Sequence, residues 1–467
     1  MPGLFGTDGV RGKANEEPLT PELAFSLGQI SVSILADNDH PRVSVGRDTR
    51  ISGSMFEAAL VAGLCSAGAS VVKMGVVPTP VLSFSAASPG IDYGIVLSAS
   101  HNPFYDNGIK FFDGKGEKLS SEIELRLERA LRSSSGVSRV KRAIGAKIGR
   151  VTSDRTLKAH YIRHVSGSVF GTDGLVGKPL AGLRIVLDCA HGATYRLAPL
   201  VFKRLGATVI PLNVSPNGTN INRKCGSTSI SYLLQAVIKY KADFGLAFDG
   251  DGDRCLAAGG DGTVVDGDAI ITICALFMKN RGLLPQNTVV ATVMTNMGVE
   301  AVLERNGITL IRTRVGDKYV AHEMRNSGFG LGGEQSGHLI FKDVLPTGDG
   351  IVTGLWVAKV VEESGIPLEK LVSVVKRYPQ VIINVGVNNP SALVGLRTVK
   401  REVRQLEEQL GKRGRILVRP SGTEPVVRVM VEGESEREVR EMAEEAARVI
   451  STRAHTSKQK KNSRKVG

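Results

Sequence analysis

Cysteine is scarce in this 467-residue chain, and its spacing excludes the commonest structural uses of the residue. The cysteines are odd in number and widely scattered, and none forms a Cys-x-x-Cys pair. They are Cys65, Cys189, Cys225, Cys255 and Cys274. Disulfide frameworks and structural zinc sites need paired cysteines, so this pattern indicates reduced thiols in a reducing compartment.

Long apolar runs and an N-terminal leader are also missing from the sequence. Gly, Ser, Lys or Pro interrupts every apolar stretch before it reaches the roughly 18 residues of a membrane-spanning helix. The first eight residues carry neither the basic start nor the apolar core of a signal peptide. With 42% hydrophobic residues, the composition is that of a soluble globular protein, so we expect a cytoplasmic protein without a membrane partner.

Aromatic residues make up only 5% of the chain, which argues against reading its net charge of +14 as a nucleic-acid surface. No nucleic-acid recognition motif accompanies the basic residues, and several of them fall in the segment 456–467. We interpret that segment as a basic, disordered tail and the remaining positive charge as suited to an anionic substrate. Nucleic-acid binding through the tail is a minor alternative. The sequence does not indicate the oligomeric state, and both a monomer and a homodimer are compatible with it.

One layout is repeated three times along the chain: a β-rich apolar run, a helix, a capping glycine and a second β-rich run. The repeats begin at Arg42, Arg184 and Asn287, and the second one predicts a strand at 184–188 and a helix at 192–205. Each repeat is followed by a polar loop after a further short strand, predicted at 93–97, 244–248 and 328–331. The last part of the chain differs and predicts a charged helix at about 391–410. The sequence therefore predicts three similar mixed α/β domains around a central cleft and a smaller C-terminal α+β domain. Their predicted limits are 1–152, 153–257, 258–370 and 371–455, followed by the tail.

The first polar loop, Ser-Ala-Ser-His-Asn-Pro at positions 98–103, follows a predicted strand at 93–97. A strand that ends in such a loop presents side chains to the crevice where α/β sheets bind ligands. Ser100 is therefore the candidate reacting group. Taken alone, the hexapeptide is also compatible with ordinary turn chemistry.

The second loop alternates three aspartates with two glycines at Asp249, Asp251 and Asp253. In extended backbone, side chains two residues apart point the same way, so three carboxylates can meet at one hard cation. Oxygen ligands alone favour Mg²⁺ over zinc or copper. An EF-hand is excluded because Arg254 and Gly260 stand where that motif needs glycine and glutamate. An acidic turn without a metal remains the alternative.

The last two loops offer groups that suit a phosphorylated sugar. The stretch 333–338 places Glu334, Ser336 and His338 between glycines, a set suited to hydroxyls that both donate and accept. The stretch 419–425, with Arg428 beyond it, supplies guanidinium groups, hydroxyls and exposed amides suited to a phosphate. Each loop alone is equally compatible with a polar connection that has no function.

Together the four loops resemble those of the α-D-phosphohexomutase superfamily. Two further stretches add to the resemblance: Gly-Thr-Asp-Gly-Val-Arg-Gly at 6–12 and Gly-Arg-Asp-Thr-Arg at 46–50. The similarity covers residues 3 to about 450 and leaves the basic tail outside. Within the superfamily, Gln335 and the stretch 315–319 are similar to the bacterial phosphoglucosamine mutase branch, although Lys318 stands where arginine is commoner.

The resemblance implies that Ser100 carries a phosphoryl group in the resting enzyme. It also implies that Ser100, Asp249, Asp251 and Asp253 hold Mg²⁺, which makes the added negative charge tolerable. The implied reaction interconverts glucosamine 6-phosphate and glucosamine 1-phosphate through a hexose 1,6-bisphosphate, and it feeds UDP-N-acetylglucosamine synthesis. Lys110 is the residue implied for proton handling, with a plain surface lysine as the alternative.

The remaining residues are implied to bind the phosphosugar substrate. The dock for the non-reacting phosphate would consist of Arg419, Ser421, Gly422, Thr423 and Arg428. Glu334 and Ser336 would hold sugar hydroxyls, while Arg11, Arg254 and His338 are further binding positions. His101 is not expected to take part, because adjacent side chains in extended chain point apart. The C-terminal domain carries the dock and joins near Pro367, so we expect it to close on substrate as a lid.

Two other functions remain open from the sequence. The preference for an amino sugar rests on one residue, Gln335. A phosphomannomutase/phosphoglucomutase of the same superfamily is therefore the first alternative. A non-catalytic regulator that binds phosphosugars is the second, although intact Ser100, Lys110 and the aspartates argue against it.

Overall fold

A computed structural model describes residues 4–6, 8–133, 140–154, 156–171, 177–421 and 425–463. The chain divides into two compact units. Unit one contains the chain up to Met294 and the segment Asn306–Val374. Unit two contains Thr295–Arg305 and the chain from Val375 onwards. Among the described residues, no helix is both long enough and apolar enough to cross a membrane.

The first sheet of unit one has six strands in the order β1-β5-β4-β2-β3-β6. The strands are β1 (Val10–Lys13), β2 (Arg42–Arg47), β3 (Ser70–Val76), β4 (Tyr93–Leu97), β5 (Asp106–Phe112) and β6 (Val151–Ser153). Strand β5 runs antiparallel to both of its neighbours, β1 and β4, and the other neighbouring pairs of this sheet are parallel. The accompanying helices are α1 (Pro21–Leu35), α2 (Gly53–Ser66), α3 (Thr79–Ala86) and α4 (Ser121–Arg132).

The second sheet has five strands in the order β11-β10-β9-β7-β8. The strands are β7 (Arg184–Asp188), β8 (Thr208–Leu212), β9 (Phe244–Phe248), β10 (Cys255–Gly259) and β11 (Val264–Val265). Strands β7, β8 and β9 are parallel, and β10 and β11 are added antiparallel at one edge. The helices are α5 (Thr156–Phe170), α6 (Leu197–Arg204) and α7 (Ser231–Lys239).

The third sheet has four strands in the order β13-β12-β14-β15. The strands are β12 (Thr288–Thr292), β13 (Thr309–Thr313), β14 (Leu331–Gly333) and β15 (Leu339–Phe341). The first three are parallel and β15 is antiparallel. The helices of this part of the chain are α8 (Gly267–Asn280), α9 (Met297–Arg305), α10 (Asp317–Ser327), α11 (Gly350–Ser364) and α12 (Leu368–Val372).

Unit two has an antiparallel sheet of three strands in the order β16-β18-β17. The strands are β16 (Gln380–Gly386), β17 (Gly414–Pro420) and β18 (Val426–Gly433). The helices are α13 (Pro390–Val394), α14 (Arg397–Leu410) and α15 (Glu436–Ser463). Helix α9 also belongs to this unit, where the Met297 amide donates to Glu432 Oε1 at 2.9 Å. The four sheets confirm the predicted fold class of three mixed α/β domains and a smaller α+β domain.

Three predicted elements differ from the structure for local reasons. The helix predicted over 192–205 begins only at Leu197, because the Ala193 amide instead donates to Gly250 O at 2.8 Å. The strand predicted over 328–331 is displaced to Leu331–Gly333, because Gly328 adopts the left-handed conformation that caps α10. The helix predicted over 391–410 is interrupted at Leu396, whose backbone is extended.

The last helix, α15, continues to Ser463 and so extends into the predicted tail. Disorder of the tail from residue 456 stays a prediction. Residues 464–467 lie outside the described residues. The predicted domain limits stay a prediction.

Candidate active site

The loops that follow β4 and β9 meet in unit one. The Ser100 hydroxyl, which is 1% exposed, donates to Asp249 Oδ2 at 2.5 Å. Each loop leaves the carboxyl end of a fully buried strand, the place where α/β sheets present ligand-binding groups. The structure therefore brings together the predicted reacting serine and the first predicted metal ligand.

Ser100 adopts a left-handed backbone conformation with φ of 51°. For a residue with a β-carbon this conformation costs roughly 1–2 kcal/mol, so the surrounding contacts must hold it. The same twist turns the Ser100 hydroxyl toward its neighbour, and Oγ lies 3.4 Å from His101 Nδ1. The expectation that His101 would point away was wrong, because it assumed an extended chain. Burial, with Arg254 and Arg11 nearby, lowers the pKa of His101 to about 4.

The three aspartates form a candidate metal centre. Asp249, Asp251 and Asp253 are buried, and one oxygen from each lies within 4.8 Å of the other two. Asp251 Oδ1 and Asp253 Oδ1 are buried and have no hydrogen-bond partner. Burial and the two neighbouring carboxylates raise the pKa of Asp249 well above its usual value. These unsatisfied, mutually repelling carboxylate oxygens fit a hard divalent cation such as Mg²⁺.

The aspartates converge through a turn and not through the extended backbone that the sequence suggested. Gly252 has a left-handed φ of 73°, and the Gly252 amide donates to Asp249 Oδ1 at 3.0 Å. Gly250 allows close approach, since a β-carbon there would lie 2.5 Å from Ser100 O. The glycines are therefore required both for the turn and for contact with the serine loop.

Lys110 lies on β5, opposite Val96 of β4, and is 2% exposed. Its Nζ is 2.8 Å from Asp251 Oδ2 and 2.7 Å from Asp8 Oδ2. Burial alone would lower the pKa of Lys110, but Asp251 and Asp8 raise it above the usual value. Lys110 is thus a buried cation beside the aspartate cluster and not a surface lysine.

A series of alternating charges extends from Lys110, and no motif in the sequence predicts it. Lys118 pairs with both Asp8 and Asp317. His338 Nε2 lies 3.7 Å from Asp317 Oδ2, and its Nδ1 lies 3.5 Å from Asp253 Oδ2. Asp8 and Asp317 fall within the stretches 6–12 and 315–319 that carry the family resemblance, whereas nothing in the local sequence distinguishes Lys118.

The electrostatic interactions within this series favour the charged forms of Asp8, Lys118 and His338. Burial raises the pKa of Asp8, but Lys110 and Lys118 hold it well below its usual range. Burial likewise opposes charge on Lys118, but Asp317 and Asp8 raise its pKa above the usual value. The pKa of His338 is raised because its contact with Asp253 outweighs burial.

The other predicted substrate residues of unit one line the same region. Arg11 pairs with Asp8, and Glu334 Oε1 accepts from the Gly316 amide at 3.0 Å. Arg254 Nε and Ser336 Oγ are buried without a hydrogen-bond partner, so both retain donor capacity for a ligand.

Gln335, which suggested an amino sugar, is engaged within the protein. Its Nε2 donates to Asp266 Oδ2 at 3.3 Å. Asp266 also caps α8, because its Oδ1 accepts from the Ala269 amide at 3.1 Å. The amide of Gln335 therefore has a structural partner before any sugar binds.

The predicted phosphate dock lies in unit two. Arg419 and Arg428 are opposite each other on β17 and β18, and the Ser421 amide donates to Val426 O at 2.9 Å. Burial and the neighbouring Arg428 lower the pKa of Arg419. Gly422 and Thr423 lie outside the described residues. Two adjacent guanidinium groups suit a phosphate, and their part in the active site stays a prediction.

Comparison with known proteins identifies the family. Models of the phosphoglucomutase/phosphomannomutase family match domain I at residues 2–136, domain II at 159–262, domain III at 266–378 and the C-terminal domain at 382–449. A phosphoglucosamine mutase of Symbiobacterium thermophilum is 46% identical over 97% of this chain and 99% of its own. A phosphoglucosamine mutase of Desulforudis audaxviator is 48% identical over 96% of this chain and 98% of its own.

Solved structures share the fold at lower identity. A phosphoglucomutase/phosphomannomutase family protein of Burkholderia thailandensis has a TM-score of 0.80 at 24% identity, covering 96% of this chain and 97% of its own. An Aspergillus fumigatus N-acetylphosphoglucosamine mutase, solved with GlcNAc-6P and magnesium, has a TM-score of 0.67 at 18% identity, covering 96% of each chain. The chain belongs to the phosphoglucomutase/phosphomannomutase family of α-D-phosphohexomutases.

Proposed function

We propose that this protein is a phosphoglucosamine mutase that interconverts glucosamine 6-phosphate and glucosamine 1-phosphate. Several relatives of 45–48% identity over nearly the whole chain carry that name. The observation that carries the chemistry is the 2.5 Å contact between Ser100 Oγ and Asp249 Oδ2. It places a hydroxyl that can carry a phosphoryl group beside a carboxylate cluster fit for a divalent cation.

In the proposed reaction, phosphorylated Ser100 transfers its phosphoryl group to the free hydroxyl of the sugar phosphate. The bond between phosphorus and Ser100 Oγ breaks, a bond to the sugar oxygen forms, and the hydroxyl proton ends on Ser100 Oγ. The resulting 1,6-bisphosphate turns round and returns its other phosphoryl group to Ser100. In this step the bond between that phosphorus and its sugar oxygen breaks, a bond to Ser100 Oγ forms, and the serine proton ends on the released sugar oxygen. Such transfers depend mainly on positioning and on stabilisation of charge.

Each nearby side chain has a part in this scheme. Asp249, Asp251 and Asp253 would hold Mg²⁺, the ion named in the Aspergillus complex, and the ion would supply charge stabilisation for the transferred group. Lys110 adds a second positive charge, and it is the proposed proton carrier between the sugar hydroxyl and the serine oxygen.

Substrate binding is proposed for both units. Glu334, Ser336 and His338 would hold the sugar hydroxyls, and Arg11 and Arg254 would neutralise phosphate charge. The dock would be formed by Arg419, Ser421, Gly422, Thr423 and Arg428. The dock must hold the non-reacting phosphate in both orientations of the bisphosphate. Closure of the C-terminal domain on substrate stays a prediction. A cytoplasmic location stays a prediction.

Intact-mass measurement combined with a coupled assay tests the function. The purified protein should carry one phosphoryl group on Ser100, and Ser100→Ala should abolish both that mass and turnover. Retained turnover in Ser100→Ala would eliminate the phosphoserine mechanism. A phosphosugar-binding regulator would instead bind substrate without turning it over.

The alternative within the family is a phosphomannomutase/phosphoglucomutase with loose sugar choice. The contact between Gln335 and Asp266 favours it, because an engaged amide discriminates less between a sugar amine and a hydroxyl. A comparison of kcat/KM for the 6-phosphates of glucosamine, glucose and mannose distinguishes the two functions. Equal values for all three would defeat the glucosamine assignment.

A further inference from the structure

The stretch Gly-Arg-Asp-Thr-Arg at 46–50 has no part in the chemistry described above, yet one of its side chains reaches the serine loop. Arg50 is 1% exposed, and its Nε donates to Asp48 Oδ2 at 2.8 Å. Arg50 Nη2 donates to Ser100 O and to Asn102 O, each at 2.8 Å. Arg50 Nη1 donates to Asp106 O at 3.0 Å and also to Pro103 O. All five guanidinium donors are therefore used.

Four of these five acceptors are backbone carbonyls, three in the loop that carries Ser100 and one at Asp106, the first residue of β5. A guanidinium presents its donors in one rigid plane, so this set fixes the path of the loop between Ser100 and Asp106. A lysine could supply a charge here but could not reach four separate carbonyl groups at once.

The other side of the loop is held through Asp48 and Ser98. Ser98 Oγ donates to Asp48 Oδ2 at 2.6 Å and accepts from the Ser100 amide at 2.9 Å. Both the amide and the carbonyl of Ser100 are therefore bound by the group Asp48, Arg50 and Ser98, which we call the serine brace. All three side chains are essentially inaccessible to solvent.

We infer that the serine brace helps to keep Ser100 in its left-handed conformation, with its hydroxyl directed at Asp249. Asn222 Nδ2 adds a further contact to the Ser100 carbonyl at 2.8 Å. A residue with a β-carbon rests in that conformation only where its surroundings impose it. Contacts at both the amide and the carbonyl of Ser100 define the orientation of its peptide planes. The three brace residues are positioning residues, because their hydrogen-bond partners belong to the loop and to each other.

The inference rests on the proposed function, because it concerns the orientation of the proposed phosphoryl carrier. A misplacement of about 1 Å at a reacting atom can lower a rate by about 100-fold. Weakening the brace should therefore reduce kcat, whereas KM for the sugar phosphate should stay within about threefold, since no brace residue is a substrate-binding group.

The test compares Arg50→Lys and Ser98→Ala with a matched control, Tyr93→Phe. Tyr93 lies at the far end of β4 from Ser100, and its hydroxyl makes a buried 3.0 Å contact with Ser31 Oγ. The control therefore loses a buried hydrogen bond of the same domain without touching the loop. We expect kcat to fall about 100-fold in Arg50→Lys and about 10-fold in Ser98→Ala, and to stay within about twofold in the control.

A crystal structure of the Ser98→Ala variant gives a second readout that does not depend on turnover. It should show Ser100 outside the left-handed region or its Oγ moved away from Asp249. Loss confined to KM, or kcat and Ser100 geometry equal to those of the control, would overturn the inference. If the Arg50→Lys variant does not fold, the Ser98→Ala variant alone tests the inference. A wild-type protein that turns over no hexose phosphate would instead defeat the proposed function and leave the structural comparison valid.

Discussion

At the scale of single residues, burial decides what the charged groups of this protein can do. Lys110 and the aspartate cluster are removed from water, so each charge depends on the neighbour that compensates it. Removing one partner of such a group leaves the other uncompensated, which is more costly than the pair itself. Substitutions here should therefore have larger effects than the same changes on the surface.

Lys110→Met should lower kcat by about 10² to 10⁴, because it removes the proposed proton carrier and a positive charge next to Asp251. Lys115→Met is the matched control, since Lys115 is exposed on the following turn. Steady-state kinetics with glucosamine 6-phosphate measures both variants. Unchanged kcat in Lys110→Met would remove Lys110 from the mechanism.

Asp349 gives a pH-dependent prediction. Its Oδ1 caps α11 by accepting from the Ile351 amide at 2.8 Å, and Tyr161 donates to its Oδ2 at 2.6 Å. Burial raises the pKa of Asp349 from 3.8 to about 6. The folded state thus holds this proton more tightly than the unfolded state, so stability is present at low pH and falls as pH rises through about 6.

Asp349→Asn should remove this pH dependence, because an amide keeps the capping oxygen and does not ionise. The free energy of unfolding of the wild type, relative to the variant, should fall by about 2.4 kcal/mol between about pH 4 and about pH 7. Urea unfolding at both pH values measures the difference. A constant difference would show that Asp349 is not protonated in the folded protein.

At the scale of elements, small residues set how closely the helices and loops approach one another. A β-carbon on Gly63 of α2 would lie 2.1 Å from Phe25 O of α1. These two helices can pack this closely only because Gly63 has no side chain. The same reason allows Gly250 to lie against the serine loop.

Gly63→Ala should destabilise unit one by about 1–3 kcal/mol, because α1 and α2 must separate. Gly167→Ala is the matched control, since Gly167 lies within α5 with open space around its α-carbon. That change should stabilise the protein by about 0.5–1 kcal/mol. Thermal unfolding measures both, and equal effects of the two changes would contradict the packing argument.

At the scale of the whole molecule, the two compact units divide the proposed tasks. The aspartate cluster and Ser100 belong to unit one, and the arginine pair of the dock belongs to unit two. The chain contributes α9 to unit two before returning to β13 of unit one. Unit two is therefore built from two separate parts of the sequence.

Mg²⁺ should stabilise unit one selectively. At a concentration of 100 times its dissociation constant, a ligand of the folded state adds about 2.7 kcal/mol. Calorimetry should show an unfolding transition that rises with Mg²⁺ and falls with EDTA, alongside a C-terminal transition that does not respond. Asp253→Asn should abolish the response, whereas Asp261→Asn, on an exposed turn, should retain it. A response of equal size in both variants would place the ion elsewhere.

The sequence by itself determined the three repeated β-α-β units, the strands β4, β7 and β9 to the residue, and the family. Hydrophobic periodicity, capping glycines and short motifs are local signals, so they can be read without knowing which parts of the chain meet. The candidate serine and the three aspartates were found in the same way, because their residue types lie close together in sequence.

Only the tertiary structure decided how those groups are held. The brace from Arg50 to the serine loop, the pairing of Lys118 with Asp8 and Asp317, and the membership of α9 in unit two all join distant parts of the chain. Contact between His101 and Ser100 depends on one left-handed residue, which no local pattern indicated. Burial and charge compensation arise when separate elements pack together, and they are therefore properties of the folded protein.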